Sequence, residues 1–179
     1  QEVGAYSNIF RLSQIIVFVM SIINVVIAPE ISALLAQNNL DTFKSVFRKS
    51  AKLNLFVGII ILISISLITP NLLIRININL YDYINIIIIL FIAQFIKIIF
   101  GPSLLVITMS NKNSSQLLSI SKISIGGSLL LFPICTYTLG VYGAAWTFLF
   151  ITFCVNYKAV KQNISKYNFN PIDYLFYTS

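Results

Sequence analysis

Five apolar stretches, each about long enough to cross a lipid bilayer, decide what this 179-residue chain can fold into. They lie at residues 7–28, 51–69, 83–108, 116–137 and 141–157. A membrane-spanning helix needs roughly 20 predominantly apolar residues, and a backbone in lipid must satisfy its own hydrogen bonds as a helix or a closed barrel. The stretches are continuously apolar, whereas barrel strands alternate in polarity. The sequence therefore predicts an all-α, polytopic membrane bundle of about five transmembrane helices.

The few charged residues exclude most other classes of protein. Only 9% of the residues are charged, against about a quarter in a typical soluble domain. The chain has no histidine and five acidic residues, which leaves little from which to build a metal site or an acid/base pair. We therefore predict no catalytic residue, no metal and no cofactor, and we interpret the net charge of +7 as a membrane signal with no nucleic-acid partner.

The basic residues alternate between the connecting segments. Three segments carry nine of the twelve, namely Lys44, Arg48, Lys49 and Lys52, then Lys112 and Lys122, then Lys158, Lys161 and Lys166. Cytoplasmic loops of membrane proteins carry such an excess, so we expect the amino end of this chain outside the cell and the carboxyl end in the cytoplasm. Residues 1–157 then form the transmembrane bundle and residues 158–179 a basic, aromatic cytoplasmic tail. The loop 37–52 is expected to lie on the inner leaflet as an amphipathic helix.

Polar side chains recur on one face of several spans. Such stripes are typical of helix–helix packing, and cations near a span's end can reach the headgroups. Lys97 is harder to explain in this way, because it lies about 21 Å along its helix from Tyr83 at 1.5 Å per residue. No carboxylate lies within a span to neutralise it. We therefore predict a cavity that accepts an anionic substrate and is lined by Arg11, Gln14, Asn54, Gln94, Lys97 and Lys122.

Helix breakers occur inside two spans. Gly101-Pro102 interrupts the third and Pro133 falls late in the fourth; proline removes a backbone hydrogen bond and kinks a helix. Broken helices at membrane depth border the substrate path in transporters, so these positions are predicted hinges. Pro29, at the end of the first span, is expected only to terminate that helix.

Four segments in a fixed order carry a resemblance to a known family. They are Val3-Gly4-Ala5-Tyr6 leading to Arg11-Leu12, then Ala28-Pro29-Glu30-Ile31-Ser32, Gly101-Pro102, and Leu139-Gly140-Val141-Tyr142-Gly143-Ala144-Ala145. This set resembles the carboxyl-terminal half of polysaccharide flippases of the multidrug/oligosaccharidyl-lipid/polysaccharide exporter superfamily, and most of all the O-antigen or capsule repeat-unit flippases.

The resemblance implies a function and a set of partners. It implies a transporter of two six-helix bundles, in which this chain supplies about the last five helices of the second bundle. The partner is then the amino-terminal bundle of the same polypeptide. It implies translocation of undecaprenyl-pyrophosphate-linked oligosaccharide across the bacterial inner membrane by alternating access, among membrane lipids, with Arg11, Lys97 and Lys122 lining the cavity. The alternatives are a membrane enzyme of the same pathway (a polymerase or an acyltransferase), an exporter of another substrate in the same superfamily, and a structural bundle subunit.

Overall fold

The computed structural model describes residues 2–75, 80–110 and 114–173. In that part of the chain the regular structure is helical throughout. The helices are α1 (Glu2–Ala36), α2 (Leu40–Arg75), α3 (Leu80–Phe100), α4 (Ser103–Met109) and α5 (Ser114–Tyr167). All but α4 are long and apolar enough to cross a membrane. The predicted all-α membrane bundle is confirmed, and the helices extend beyond the apolar stretches at both ends.

Helix α5 is a hairpin of two helices that meet at Gly140. The backbone there has φ 58° and ψ −140°, a conformation that glycine adopts without steric cost. Residues far apart in sequence touch across the two arms: Gly127 faces Ile151, and the Lys158 ammonium donates a hydrogen bond to the Ser119 carbonyl at 3.3 Å. A straight helix would separate the second pair by roughly 58 Å at 1.5 Å per residue. The arms, residues 114–139 and 141–167, are therefore antiparallel and correspond to the fourth and fifth predicted spans.

Two apolar clusters define the two ends of the bundle. The first joins the start of α1, the end of α2, the start of α3 and the start of the second α5 arm through Ile9, Leu73, Ile86 and Ala145. We call this the Gly140 end. The second cluster joins the end of α1, the start of α2, α4 and the segment that follows the second α5 arm through Ile31, Phe43, Val106 and Phe169. The chain therefore crosses the bundle five times in alternating directions, with α3 and α4 together forming one crossing.

Most basic side chains collect at the second of these ends, which we call the basic end. Four lie on the first turns of α2, and Lys122, Lys158, Lys161 and Lys166 lie on the corresponding parts of the α5 arms. Lys112 lies outside the described residues. The alternation of charge along the sequence thus becomes a difference in charge between the two ends of one bundle.

Two local expectations are wrong. Pro29 does not end the first helix, because α1 continues to Ala36 with Pro29 exposed in its last third; prolines are tolerated within membrane helices. Residues 40–52 are helical, but they form the first turns of α2 instead of a separate surface helix. The reason is that Phe43 and Phe47 are fully buried and lie at the start of the buried face that continues along α2.

The carboxyl-terminal segment closes the basic end. The second α5 arm continues as a helix to Tyr167, and the following Phe169 is buried. Its ring lies 5.8 Å from that of Phe43 and 4.9 Å from that of Phe47. Part of the expected tail is therefore integrated into the bundle, while residues 174–179 lie outside the described part.

Candidate functional site

A cavity of about 430 Å³ lies between α1, the α3–α4 crossing and both arms of α5. Its walls combine apolar residues with hydroxyl and amide side chains and one cation. The lining residues are Val17, Met20, Ser21, Asn24, Lys97, Gly101, Leu104, Ser124, Ser128, Phe132, Phe148, Ile151, Thr152, Val155 and Asn156. None of these is acidic. Sites for small molecules commonly have volumes of roughly 300–1,000 Å³, so the space is large enough for a ligand.

A break in the third crossing shapes one wall of the cavity. Helix α3 ends at Phe100 and α4 starts at Ser103, because Pro102 cannot donate a backbone hydrogen bond and Gly101 has φ 54°. The second α5 arm stabilises the break, since the Asn163 side-chain amide donates to the Ser103 carbonyl at 2.8 Å. Gly101 itself lines the cavity, and a Cβ atom at this position would point toward Ala51 of α2, 3.4 Å from the Ala51 Cβ.

The cation in the wall is Lys97, which is half-buried. Its Nζ lies 4.8 Å from the centroid of the Phe148 ring, within the range of a cation–π interaction. The Phe148 ring is in turn contacted edge-on by Phe10, at 5.1 Å between centroids and 83° between planes. Tyr6 stacks on Phe10 at 6.0 Å. The ammonium is thus held by an aromatic ring that other rings fix in place, and no carboxylate shares the cavity wall among the described residues.

The hydroxyl and amide groups gather toward the basic end. Ser124 and Asn156 each lie sixteen residues from Gly140 along their arms, whereas Phe132 and Phe148 lie eight residues from it. At 1.5 Å per residue these positions differ in depth by about 12 Å. The cavity therefore has an aromatic end nearer Gly140 and a polar end nearer the basic end.

Hydrogen bonds fix which atoms the polar end offers. The Ser21 hydroxyl donates to the Phe18 carbonyl at 2.6 Å, and the Asn156 amide nitrogen donates to the Thr152 carbonyl at 2.8 Å. Each of these side chains therefore uses one donor group in a bond to its own helix, and its oxygen atom can still accept a hydrogen bond. The Asn24 carbonyl oxygen accepts from the Asn54 amide at 3.2 Å, which orients the Asn24 side chain in the wall.

Of the six predicted cavity residues, Lys97 lines the space. Asn54 is fully buried behind the wall and contacts Asn24. Gln94 is also fully buried, and its amide donates to the Ser13 hydroxyl at 3.2 Å, so it joins α3 to α1 as the packing interpretation anticipates. Gln14 is half-buried outside the lining, and its amide nitrogen has no hydrogen-bond partner among the described residues.

The other two predicted cations point elsewhere. Arg11 and Lys122 are exposed and do not line the cavity. On their helices they lie roughly 120° around from the cavity-facing residues, at 100° per residue. Their contact with a substrate remains a prediction. Of the predicted hinges, Gly101 and Pro102 interrupt a helix, while the backbone around the exposed Pro133 keeps helical dihedral angles.

Several lining residues were missed by the sequence reasoning. Two of the missed pairs follow the helical spacing rule, in which residues four apart share a helix face. They are Ser124 with Ser128 on the first arm and Thr152 with Asn156 on the second. Applying the spacing rule to every polar residue would have found these two pairs. No sequence signal distinguishes Phe148 from the other phenylalanines, because its role depends on which helix faces Lys97.

Comparison with known proteins gives no match: no family model, no curated protein and no solved structure matches this chain. The physical basis for a function is therefore the cavity and the apolar helices around it.

Proposed function

We propose that this chain forms part of a transporter that flips a lipid-linked oligosaccharide repeat unit across the bacterial inner membrane for cell-surface polysaccharide synthesis. The substrate would be undecaprenyl-pyrophosphate-linked, and access would alternate between the two faces of the membrane. The observation that carries this proposal is the Lys97 ammonium in the wall of a polar cavity inside a membrane bundle. The resemblance of four ordered segments to repeat-unit flippases supports the same conclusion.

The depth of Lys97 supports a role in transport. At 1.5 Å per residue it lies about 25 Å from the start of α3 at Leu80 and about 18 Å from the end of α4 at Met109. A cation this far from both ends of a crossing is expensive in lipid and is expected to face a water-filled path or a ligand. Its position beside the pyrophosphate of a lipid-linked sugar would provide that compensation.

The lining chemistry favours binding over catalysis. The described walls offer hydroxyls, amides, aromatic rings and one ammonium, which can hold an anionic sugar. An acid/base or nucleophilic mechanism needs a positioned carboxylate, histidine or activated nucleophile, and no lining residue is a carboxylate, histidine or cysteine. A substrate that binds and leaves without bond chemistry fits this set of groups.

The charge difference between the ends supports an orientation. With the basic end in the cytoplasm, the Gly140 end and the start of α1 would face outward. Alternating access would then involve the amino-terminal bundle of the same polypeptide, and the break at Gly101-Pro102 provides a place where the third crossing can bend.

The test is a flipping assay on the full polypeptide that contains this chain. The protein is reconstituted into vesicles with a fluorescent undecaprenyl-pyrophosphate oligosaccharide, and an added glycosidase reports how much of it reaches the outer leaflet. We expect Lys97→Ala to slow flipping at least tenfold. Lys161→Ala, which removes an exposed cation at the basic end, outside the cavity, is the matched control and is expected to change the rate less than twofold. Flipping by Lys97→Ala at the control rate would overturn the proposal.

A further inference from the structure

We infer that the cavity holds one hydroxylated ring carrying one anionic group, that is, a sugar phosphate or an acidic sugar, and does not enclose a whole oligosaccharide. This inference rests on the proposed function for its biological setting. It adds which part of the substrate occupies the cavity and which residues recognise it. Three observations carry it: the division of donors and acceptors, the volume and the order of the groups along the cavity.

The donors and acceptors of the wall divide into two sets. Lys97 offers N–H donors and a positive charge, which suit an anionic oxygen. The Ser21 hydroxyl and one of the two Asn156 amide N–H groups donate to backbone carbonyls, so these side chains offer the cavity their acceptor oxygens together with the second Asn156 N–H. Sugar hydroxyls both donate and accept and can pair with this mixed set, whereas phosphate and carboxylate oxygens only accept and leave the acceptor oxygens without a donor. The polar end therefore favours a hydroxylated group over a second anion.

The volume argues against enclosure of a whole oligosaccharide. A cavity of about 430 Å³ lies in the lower part of the range for small-molecule sites, roughly 300–1,000 Å³. Lys97 and Phe148 already meet at one place in it, and the remaining space extends toward Asn24 and Asn156. A ring with an anionic substituent fits within such a space, whereas a chain of several sugar rings extends beyond it.

The order of the cation and the polar side chains along the cavity sets the orientation of the ligand. Lys97 contacts Phe148, which is eight residues from Gly140, while Asn156 is sixteen residues from it on the same arm. The anionic group is thus assigned to the side nearer Gly140 and the hydroxyls to the side nearer the basic end. Asn24, oriented by its hydrogen bond from Asn54, faces the hydroxyl side together with Asn156.

The inference is tested by calorimetric binding to the purified full polypeptide in detergent. The probes are glucose 1-phosphate, glucuronate, glucose and inorganic phosphate. We expect glucose 1-phosphate or glucuronate to bind at least tenfold more tightly than either glucose or inorganic phosphate, because the latter two each satisfy half of the site. Whichever acidic sugar binds more tightly identifies the anionic group. Inorganic phosphate or glucose binding as tightly as both acidic sugars would overturn the inference.

Two variants separate the two halves of the site. Asn156→Leu is expected to weaken the acidic sugar about fivefold, the value of one hydrogen bond, without changing the affinity for inorganic phosphate. Lys97→Gln should bring the acidic sugar down to the affinity of glucose. Ser124→Ala, at the same depth as Asn156 but on the first α5 arm, provides a milder change at the polar end if Asn156→Leu lowers the melting temperature. Uniform weakening of all four probes in each folded variant would contradict the division.

Binding and transport failures are distinguishable. Selective binding of an acidic sugar without flipping of the lipid-linked substrate would refute the proposed function and leave the inference intact. Flipping without any preference among the four probes would refute the inference alone.

Discussion

Gly143→Ala is the substitution whose effect the structure determines most directly. Gly143 lies three residues after the reversal of the chain, against the backbone of the first arm. A Cβ atom there would overlap the Cys135 carbonyl oxygen and lie 3.1 Å from the Thr136 amide nitrogen. Carbon–oxygen contacts between backbones normally fall near 3.3–3.6 Å, so the arms would have to separate by on the order of 1 Å or more.

The cost of that separation can be bounded. Overpacking a tight interface costs typically about 1–3 kcal/mol when flexible side chains can shift. Here the obstacle is a helix backbone, so we expect a loss of about 3 kcal/mol or more in the free energy of unfolding. Gly126→Ala is the matched control in the same hairpin, because a Cβ there meets nothing within 4 Å; its change should stay within about 0.5 kcal/mol.

The assay is unfolding in mixed micelles, with increasing denaturing detergent and a far-ultraviolet circular dichroism readout. Gly143→Ala should unfold at a markedly lower detergent fraction than Gly126→Ala. Equal midpoints for the two variants would show that the arms do not pack closely at this point, and the hairpin description of α5 would be wrong.

Two further substitutions test the walls of the cavity. Phe148→Leu removes the ring beside Lys97 and with it a cation–π interaction of about 0.5–2 kcal/mol, so it should raise the KM for flipping roughly two- to thirtyfold. Phe148→Tyr keeps the ring and should change the KM less than twofold. Equal KM values for the two variants would contradict the role of the ring. Asn54→Leu removes the hydrogen bond to Asn24, for which polar pairs in membranes average about 0.6 kcal/mol. It should lower the free energy of unfolding by less than about 1 kcal/mol yet slow flipping several-fold, because Asn24 loses its orientation; a variant with unchanged flipping would show that this orientation does not matter.

The helices could be predicted from the sequence because their cause is local. Apolar length and continuity specify a membrane crossing wherever they occur, and the alternating charges predicted the up-and-down order that the two end clusters display. The ends were less predictable. Pro29 lies inside α1, because a proline is tolerated within a membrane helix. Residues 40–52 belong to α2, because Phe43 and Phe47 are buried against other elements although the local sequence has the pattern of a surface helix.

The site could be predicted only where one residue was anomalous by itself. Lys97 is such a residue, since an unpaired cation deep in a span has few structural explanations. Gln94 and Asn54 are polar and deep in the same sense, yet they bond to neighbouring helices. Whether a deep polar residue lines the cavity or bonds to a neighbouring helix depends on the rotation of its helix about the helix axis. That rotation is set by packing between helices, which cannot be read from the sequence.

A positively charged, water-accessible cavity inside this bundle can be detected by the reactivity of cysteines placed in its wall. The direct measurement uses full-length protein in which Cys135 and Cys154, both free thiols, are replaced by alanine. A single cysteine is then placed at Ser128, which lines the cavity, or at its neighbour Leu129, which is 70% exposed on the outer surface. Each variant is treated in membranes with an anionic and a cationic methanethiosulfonate, and rates are normalised to those of a free thiol in water.

We expect Ser128→Cys to react with the water-soluble reagents and Leu129→Cys, facing lipid, not to react. We also expect a faster normalised rate for the anionic reagent at Ser128→Cys, and loss of that preference when Lys97→Gln is added. An unreactive cysteine at position 128, or a rate there that is indifferent to the charge of the reagent, would contradict a positively charged, water-accessible cavity.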